Sequence, residues 1–249
     1  AIILTLMVPV NMSCYAVIIA TVFAIVLAKL LFGGFGQNIF NPAAVGRAVI
    51  LQAFTGVSVG LISQATPTTV IASAYHWLPA NATVLDSFLS QYGGFAGLAL
   101  GTYPGSIGET SVIAIAIGAL ILLYTQIASI RTMTSVFVGG VLVAVLFNMA
   151  GMEGNAVANM PWYEHIVTGG FCFGAVFMAT DPVTSSRTEK GQYVYGFLIG
   201  ALAILIRVLN PGYPEGMMLA ILFMNMFAPL IDYCVIQRNI NKRMKRVQK

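Results

Sequence analysis

Apolar runs long enough to cross a bilayer recur along the chain, punctuated by glycine, proline and a few charged positions. A spanning helix takes about 20 mostly apolar residues. After a short apolar piece ending at Pro9, the first run of that length covers 12–32. Gly33, Gly34 and Gly36 break it, and Asn41-Pro42 opens a second apolar run to about Phe54. That run of 13 residues is too short to cross, so it predicts a re-entrant or broken helix. Residues 55–109 mix polar and apolar positions around prolines. Further full spans are expected near 110–126, 132–150, 161–180, 191–209 and 214–236. The pattern predicts an all-α, polytopic membrane protein, with 1–249 as one membrane domain. The chain opens on Ala1-Ile2-Ile3-Leu4, with neither Met nor a basic segment. No signal peptide is expected there, and the chain reads as entered partway through a membrane segment, with an N-terminal part missing.

Composition removes the soluble alternative. Hydrophobic residues make up 58% of the chain and charged ones 8%, against about 25% in soluble proteins. The formal net charge of +4 is local. Six of the twelve basic residues (Arg238, Lys242, Arg243, Lys245, Arg246, Lys249) lie in the last twelve positions, and the other 237 residues sum to 6 − 8 = −2. The charge therefore describes a tail and excludes a nucleic-acid-binding face.

Lys and Arg mark cytoplasmic loops. Placing the basic tail 238–249 in the cytoplasm and counting spans backwards puts Arg187 and Lys190 inside. The same count puts 151–160 outside, Arg131 inside, and 55–109, which has no Lys or Arg, outside. Cys14, Cys172 and Cys234 are far apart among apolar neighbours and read as core thiols, with no metal-ligand spacing to either histidine.

Ionisable residues inside a membrane are functional candidates by default. Asp181 precedes Pro182 at a span end, where it serves as a cap or as a functional carboxylate. Asp232 lies in the last span and is either functional or paired with an interfacial Arg. Glu109 and Glu215 each follow a proline–glycine turn and are expected to cap the helices after them. Arg47, inside the half-helix, needs a carboxylate, a phosphate or backbone carbonyls. Asn38 and Asn41 flank the tip of that half-helix, where amides either cap it or read the edge of a flat heteroaromatic ring. The outside loop carries Ser63-Gln64-Ala65-Thr66-Pro67-Thr68-Thr69, a hydroxyl-rich turn. There is also an internal echo. Asn41-Pro42 and Asp181-Pro182 each follow an apolar run, and each has an Arg five residues after the proline (Arg47, Arg187). Paired broken segments of this kind are a pointer to transporter-type binding sites.

FGGFGQNIFNPAAVGRA (32–48), PGSIGETS (104–111), FMATDPVTS (177–185), the segment 205–232 and RNINKR (238–243) resemble the NqrB/RnfD family. That family joins the NqrB protein of the Na+-translocating NADH:quinone oxidoreductase to the RnfD protein of the Rnf ion-translocating electron transport complex, and the tail is more similar to NqrB. The resemblance implies two inverted repeats with a urea-transporter-like fold. Residues 1–54 would then end the first repeat, 55–109 would form an extracytoplasmic flavin-bearing loop, and 110–237 would form the second repeat. It implies FMN joined through its phosphate to Thr66, although Gln64 stands where the family's motif has Gly. Thr68 and Thr69 are the fallback positions. It implies riboflavin held near Asn38, Asn41 and Asp181, and an Na+ path that uses Asp181 and Asp232.

The function this resemblance implies is membrane electron transfer in a bacterial inner membrane. Electrons would pass from partner flavoprotein and iron-sulfur subunits to FMN, then to riboflavin and quinone, coupled to Na+. Catalysis would need the complex, since the chain has no NADH-binding or iron-sulfur motif. The competing readings are an RnfD protein, working between ferredoxin and NAD, and a cofactor-free solute channel.

Overall fold

A computed structural model describes residues 2–8, 12–34, 36–54, 90, 93–103, 105–152, 155, 157–210 and 215–247. Thr66, Thr68 and Thr69 lie outside the described residues. The described elements are all helical. α1 is Ile2–Leu6, and α2 is Cys14–Ile25, running on into a π-helical turn, Val26–Leu30. α3 is Pro42–Ala53, α4 Gly94–Leu100, α5 Val112–Tyr124 and α6 Ile130–Ala150. α7 is Trp162–Val167, and α8 is Phe171–Phe173 with a π-helical continuation, Gly174–Met178. α9 is Glu189–Leu209 and α10 is Met217–Val247.

Three of these helices, α6, α9 and α10, are long and apolar enough to cross a membrane. Less than half of each span is buried inside the protein (33%, 44% and 28%), so the rest of their apolar surface faces lipid or neighbouring chains. Leu146, Leu205 and Leu230 are examples of that exposed surface. The chain is a membrane protein.

The half-helix expected after Asn41 is present. The Asn41 side chain accepts hydrogen bonds from Ala43 N (3.0 Å) and Ala44 N (3.3 Å), while Pro42 occupies the first helical position, where its missing N–H costs nothing. The span expected at 161–180 differs. Thr168 is extended and Gly169 takes φ +67°, so the run is cut into α7 and α8. Apart from Glu164 and His165 the run is largely apolar, and Thr168-Gly169-Gly170 supplies the break. The expected span at 110–126 shortens to the 13 residues of α5, started by Ser111, whose hydroxyl accepts from Ala114 N. Of the cysteines, only Cys172 is a core thiol; Cys14 and Cys234 are exposed.

α6 and α9 start at the same end, where Arg131 pairs with Glu189 at 2.8 Å, so they run parallel. Their contact is backbone on backbone. A Cβ on Gly200 would lie 1.9 Å from Val136 O, and one on Gly196 would lie 2.1 Å from Ser135 Oγ. Small residues four apart let two membrane helices approach in this way. The buried core beside this contact contains Phe171, Met178, Tyr195, Ile199, Ile204 and Ile221. α10 returns antiparallel along α9.

This contact predicts that Gly200→Leu separates α6 from α9. Overpacking costs ~1–3 kcal/mol or more, so the thermal midpoint of the detergent-solubilised protein should fall by several degrees. Val138→Ala, on an exposed position of α6, should leave it nearly unchanged.

Candidate functional site

Three polar layers cross the apolar interior between α9 and α10. At 1.5 Å rise per residue, Thr188 and Arg207 lie about 10 Å and about 18 Å along the helix on either side of Tyr195.

In the central layer, the Asn225 amide on α10 lies between α9 and the tip of α3. Its hydrogen-bonding surroundings orient the oxygen toward Asn41 N (2.9 Å), and the nitrogen then donates to Tyr195 Oη (2.6 Å) and Ile221 O (3.3 Å). Asn225 and Tyr195 are both buried. From the other side, Asn41 Nδ2 donates to Met178 O at 3.3 Å, and the Asp181 N–H reaches the same carbonyl at 3.3 Å. Met178 ends the π-helical turn after α8, and such turns concentrate at functional sites. The structure thus joins the two echoing segments, Asn41 and the approach to Asp181, through one carbonyl.

Asn41 is engaged at both ends of its amide, its oxygen capping α3 and its nitrogen donating to Met178 O. Asn38 is not. Its buried Oδ1 has no hydrogen-bond partner among the described residues and is free to accept one. An apolar groove of about 940 Å3 adjoins this tip, bounded by Phe32, Phe40, Gln52, Leu219 and Phe223.

At the Arg131–Glu189 end, Asp181 closes its own turn. Oδ1 accepts from Val183 N (3.2 Å) and Oδ2 from Thr184 Oγ1 (3.0 Å). Unlike Asn41, it does not start a helix; α9 begins later, capped by Thr188, whose hydroxyl accepts from Gly191 N. Asp232 holds that start in place. Its oxygens accept from Ser186 Oγ (2.5 Å), Arg187 N (2.8 Å), Thr188 N (3.0 Å) and Thr188 Oγ1 (2.6 Å). Hydroxyls and backbone N–H groups, rather than an interfacial Arg, satisfy this carboxylate. Asp232 and Asp181 therefore border the same 181–188 turn without touching.

At the opposite end, the question posed by Arg47 has its answer in two carboxylates, Glu109 and Glu215. Neither glutamate caps a helix, contrary to expectation. The helix after Glu109 is capped by Ser111, and Glu109 is turned inward because the loop before it docks on α1. There Ser106 Oγ donates to Met7 O (3.0 Å) and Gly108 N to Leu6 O (2.9 Å). Glu215 is drawn in because Gly216, at φ +62°, packs against α9, with its ideal Cβ position 2.3 Å from Ala203 O. Arg207 adjoins the pair, donating to His165 O (2.6 Å), Thr168 O (3.2 Å) and Glu215 O (3.4 Å). Those carbonyls belong to the end of α7 and its break, and to the turn before α10. The four charged side chains sum to zero.

Sequence reasoning passed over Arg207, Tyr195 and Asn225. Arg207 and Asn225 were discoverable as polar side chains within apolar spans. Tyr195 carried no such signal, since a tyrosine suits a span without special pairing.

Removing one partner of a buried ion pair leaves an uncompensated charge, at a cost of ~3–5 kcal/mol. Arg47→Met should therefore lower the thermal midpoint strongly. Arg47→Met combined with Glu109→Gln should restore part of the loss. A double-mutant cycle by thermal unfolding checks the coupling, and additive losses would count against it.

The chain resembles known proteins over nearly its whole length. Residues 1–241 match the profile of the family described as "NQR2, RnfD, RnfE family". The chain is similar to the B subunit of Na(+)-translocating NADH-quinone reductase of Chromohalobacter salexigens, 47% identical over 244 residues, covering 97% of this chain and 58% of that protein. It is similar to the proteins of the same name from Klebsiella pneumoniae (strain 342), at 44% over 260 residues with 99% and 60% covered, and from Pseudomonas aeruginosa (strain LESB58), at 45% over 248 residues with 99% and 61% covered. The chain spans about three fifths of the length of these relatives. The chain belongs to the NQR2, RnfD, RnfE family.

Proposed function

We propose that this chain is the electron-carrying membrane subunit of a Na+-pumping NADH:quinone oxidoreductase in a bacterial cytoplasmic membrane. The observation that carries this reading is 44–47% identity, over nearly all of the chain, to proteins named as the B subunit of Na(+)-translocating NADH-quinone reductase. On this reading Thr66 bears FMN, riboflavin lies beside Asn38, Asn41 and Asp181, and partner flavoprotein and iron-sulfur subunits deliver electrons that leave to quinone. The basic tail is cytoplasmic and the 55–109 loop extracytoplasmic.

A flavin ring would sit at the tip before α3. Asn38 Oδ1, without a hydrogen-bond partner among the described residues, offers an acceptor for a ring N–H, and Phe40, two residues on, lines an apolar groove. Asn41 supports the ring indirectly, by holding the tip on Met178 O and Asn225. A bound flavin supplies the electron-carrying capacity, while the protein orients it and excludes water. Asp181 and Asp232 offer the hard oxygen ligands an alkali cation takes, and Ser186 and Thr188 add hydroxyl oxygens beside Asp232. The meeting of the tip of α3 with the end of the π-helical turn before Asp181, through Asn41 and Met178, supports the two-repeat, urea-transporter-like architecture.

Denaturing gel electrophoresis followed by flavin fluorescence and peptide mass mapping tests the reading. FMN on a peptide from 55–80, lost in Thr66→Ala, is the expected result. A colourless, unmodified band would leave a solute channel. Copurification with ferredoxin-type iron-sulfur subunits would instead assign the chain to an Rnf complex. Asp232→Asn keeps an acceptor for the Thr188 cap but removes the charge. It should lower Na+-dependent turnover by about tenfold, or ~1.4 kcal/mol at the uptake step; unchanged turnover in the assembled complex would remove Asp232 from the Na+ path.

A further inference from the structure

The layer around Arg207 holds more buried polar atoms than the protein satisfies. The two Nη atoms of Arg207 donate to the carbonyls of His165, Thr168 and Glu215, but its Nε has no hydrogen-bond partner among the described residues. The same is true of Tyr103 Oη and of both ring nitrogens of His165. The Val157 backbone faces the His165 ring without reaching hydrogen-bond geometry.

These atoms belong to one place. Tyr103 and His165 both lie within electrostatic reach of the Arg207 guanidinium. Tyr103 shares an apolar cluster with Val167, and the next residue, Thr168, supplies one of the carbonyls that Arg207 takes. His165 is 0% exposed, Arg207 3% and Tyr103 7%. The unpartnered atoms are enclosed by the chain itself, so a segment or subunit packed on its outer surface does not reach them.

We propose that ordered water molecules occupy this layer, hydrogen-bonded to Arg207 Nε, Tyr103 Oη and the His165 ring, and complete the closure of the α7–α8 break. The chemistry of the unpartnered atoms selects this guest. Arg207 Nε–H only donates, the Tyr103 hydroxyl donates and accepts, and a neutral imidazole carries one donor and one acceptor. An anion would leave the acceptor nitrogen of the imidazole facing negative charge. It would also add charge to a layer in which Arg47, Arg207, Glu109 and Glu215 already sum to zero. A metal cation would stand beside the Arg207 guanidinium. The packing is close, since a Cβ on Gly170 would lie 2.8 Å from Glu109 Oε1. A small neutral molecule that both donates and accepts is what remains, and buried water typically makes about three such bonds. The inference stands independently of which cofactors the chain carries.

X-ray radiolysis of the full chain in its native membrane tests it. Radiolysis makes hydroxyl radicals from water wherever water is bound, so an enclosed side chain beside bound water is oxidised in place. Peptide mass spectrometry reads the sites. Tyr103 and His165 should be oxidised about tenfold faster than Tyr195, a buried phenol whose hydroxyl is bonded to Asn225. A scavenger that protects a reporter dye in the buffer should leave their oxidation unchanged. A high-resolution map of the same preparation should show density within hydrogen-bond distance of Arg207 Nε and Tyr103 Oη. Oxidation of Tyr103 and His165 no faster than that of Tyr195 would overturn the proposal. So would oxidation that falls in step with the buffer reporter, which marks access from bulk solvent, or a map with no density at these atoms.

Discussion

A helix that stops inside the bilayer leaves backbone N–H and C=O groups where no water reaches them, and each must find a partner in protein. This constraint organises the interior of the chain. α3 is too short to cross, so its first N–H groups are taken by Asn41, and the approach to it by Asn225 on a different helix. The break between α7 and α8 frees the carbonyls of His165 and Thr168, and Arg207 takes both. The turn before α9 presents free N–H groups at Arg187 and Thr188, and Asp232 takes those. At each of these interruptions a side chain from a distant part of the sequence takes part in the closure, so the same contacts that satisfy the backbone also lock the tertiary arrangement.

The charges follow the same logic. Arg47 enters the interior because two glutamates meet it, and Arg207 because carbonyls surround it. Buried ion pairs add little net stability over apolar packing, but they penalise every arrangement that separates them. The Arg47 layer thereby specifies how the loop before α5 and the turn before α10 sit against α3.

The elements closed by local signals were legible in the sequence. Asn41-Pro42 announces the start of α3, and sustained apolar runs announce α6, α9 and α10. What resisted prediction depends on partners remote in sequence. The 161–180 segment has the composition of a span, and only its Thr168-Gly169-Gly170 break, answered by Arg207 from α9, makes two short helices of it. Glu109 and Glu215 stand where local rules favour caps, yet both turn inward, because nothing in their own neighbourhoods reveals that Arg47 waits there. Asn38 and Asn41 look alike in the sequence, three residues apart at one tip. Their difference, one amide bonded through both its oxygen and its nitrogen and one whose buried oxygen has no partner among the described residues, arises from Met178 and from the end of α3.

The glycine contact between α6 and α9 has a mechanical consequence. Where Val136 O lies on the Cα of Gly200, no side chain can change rotamer to absorb a displacement, so the two helices can move only together. The ties of α3 to its surroundings are of the other kind, the amide and guanidinium hydrogen bonds of Asn41, Asn225 and Arg47. The interior is thus held in two ways, by shape between α6 and α9 and by hydrogen bonding and charge around α3.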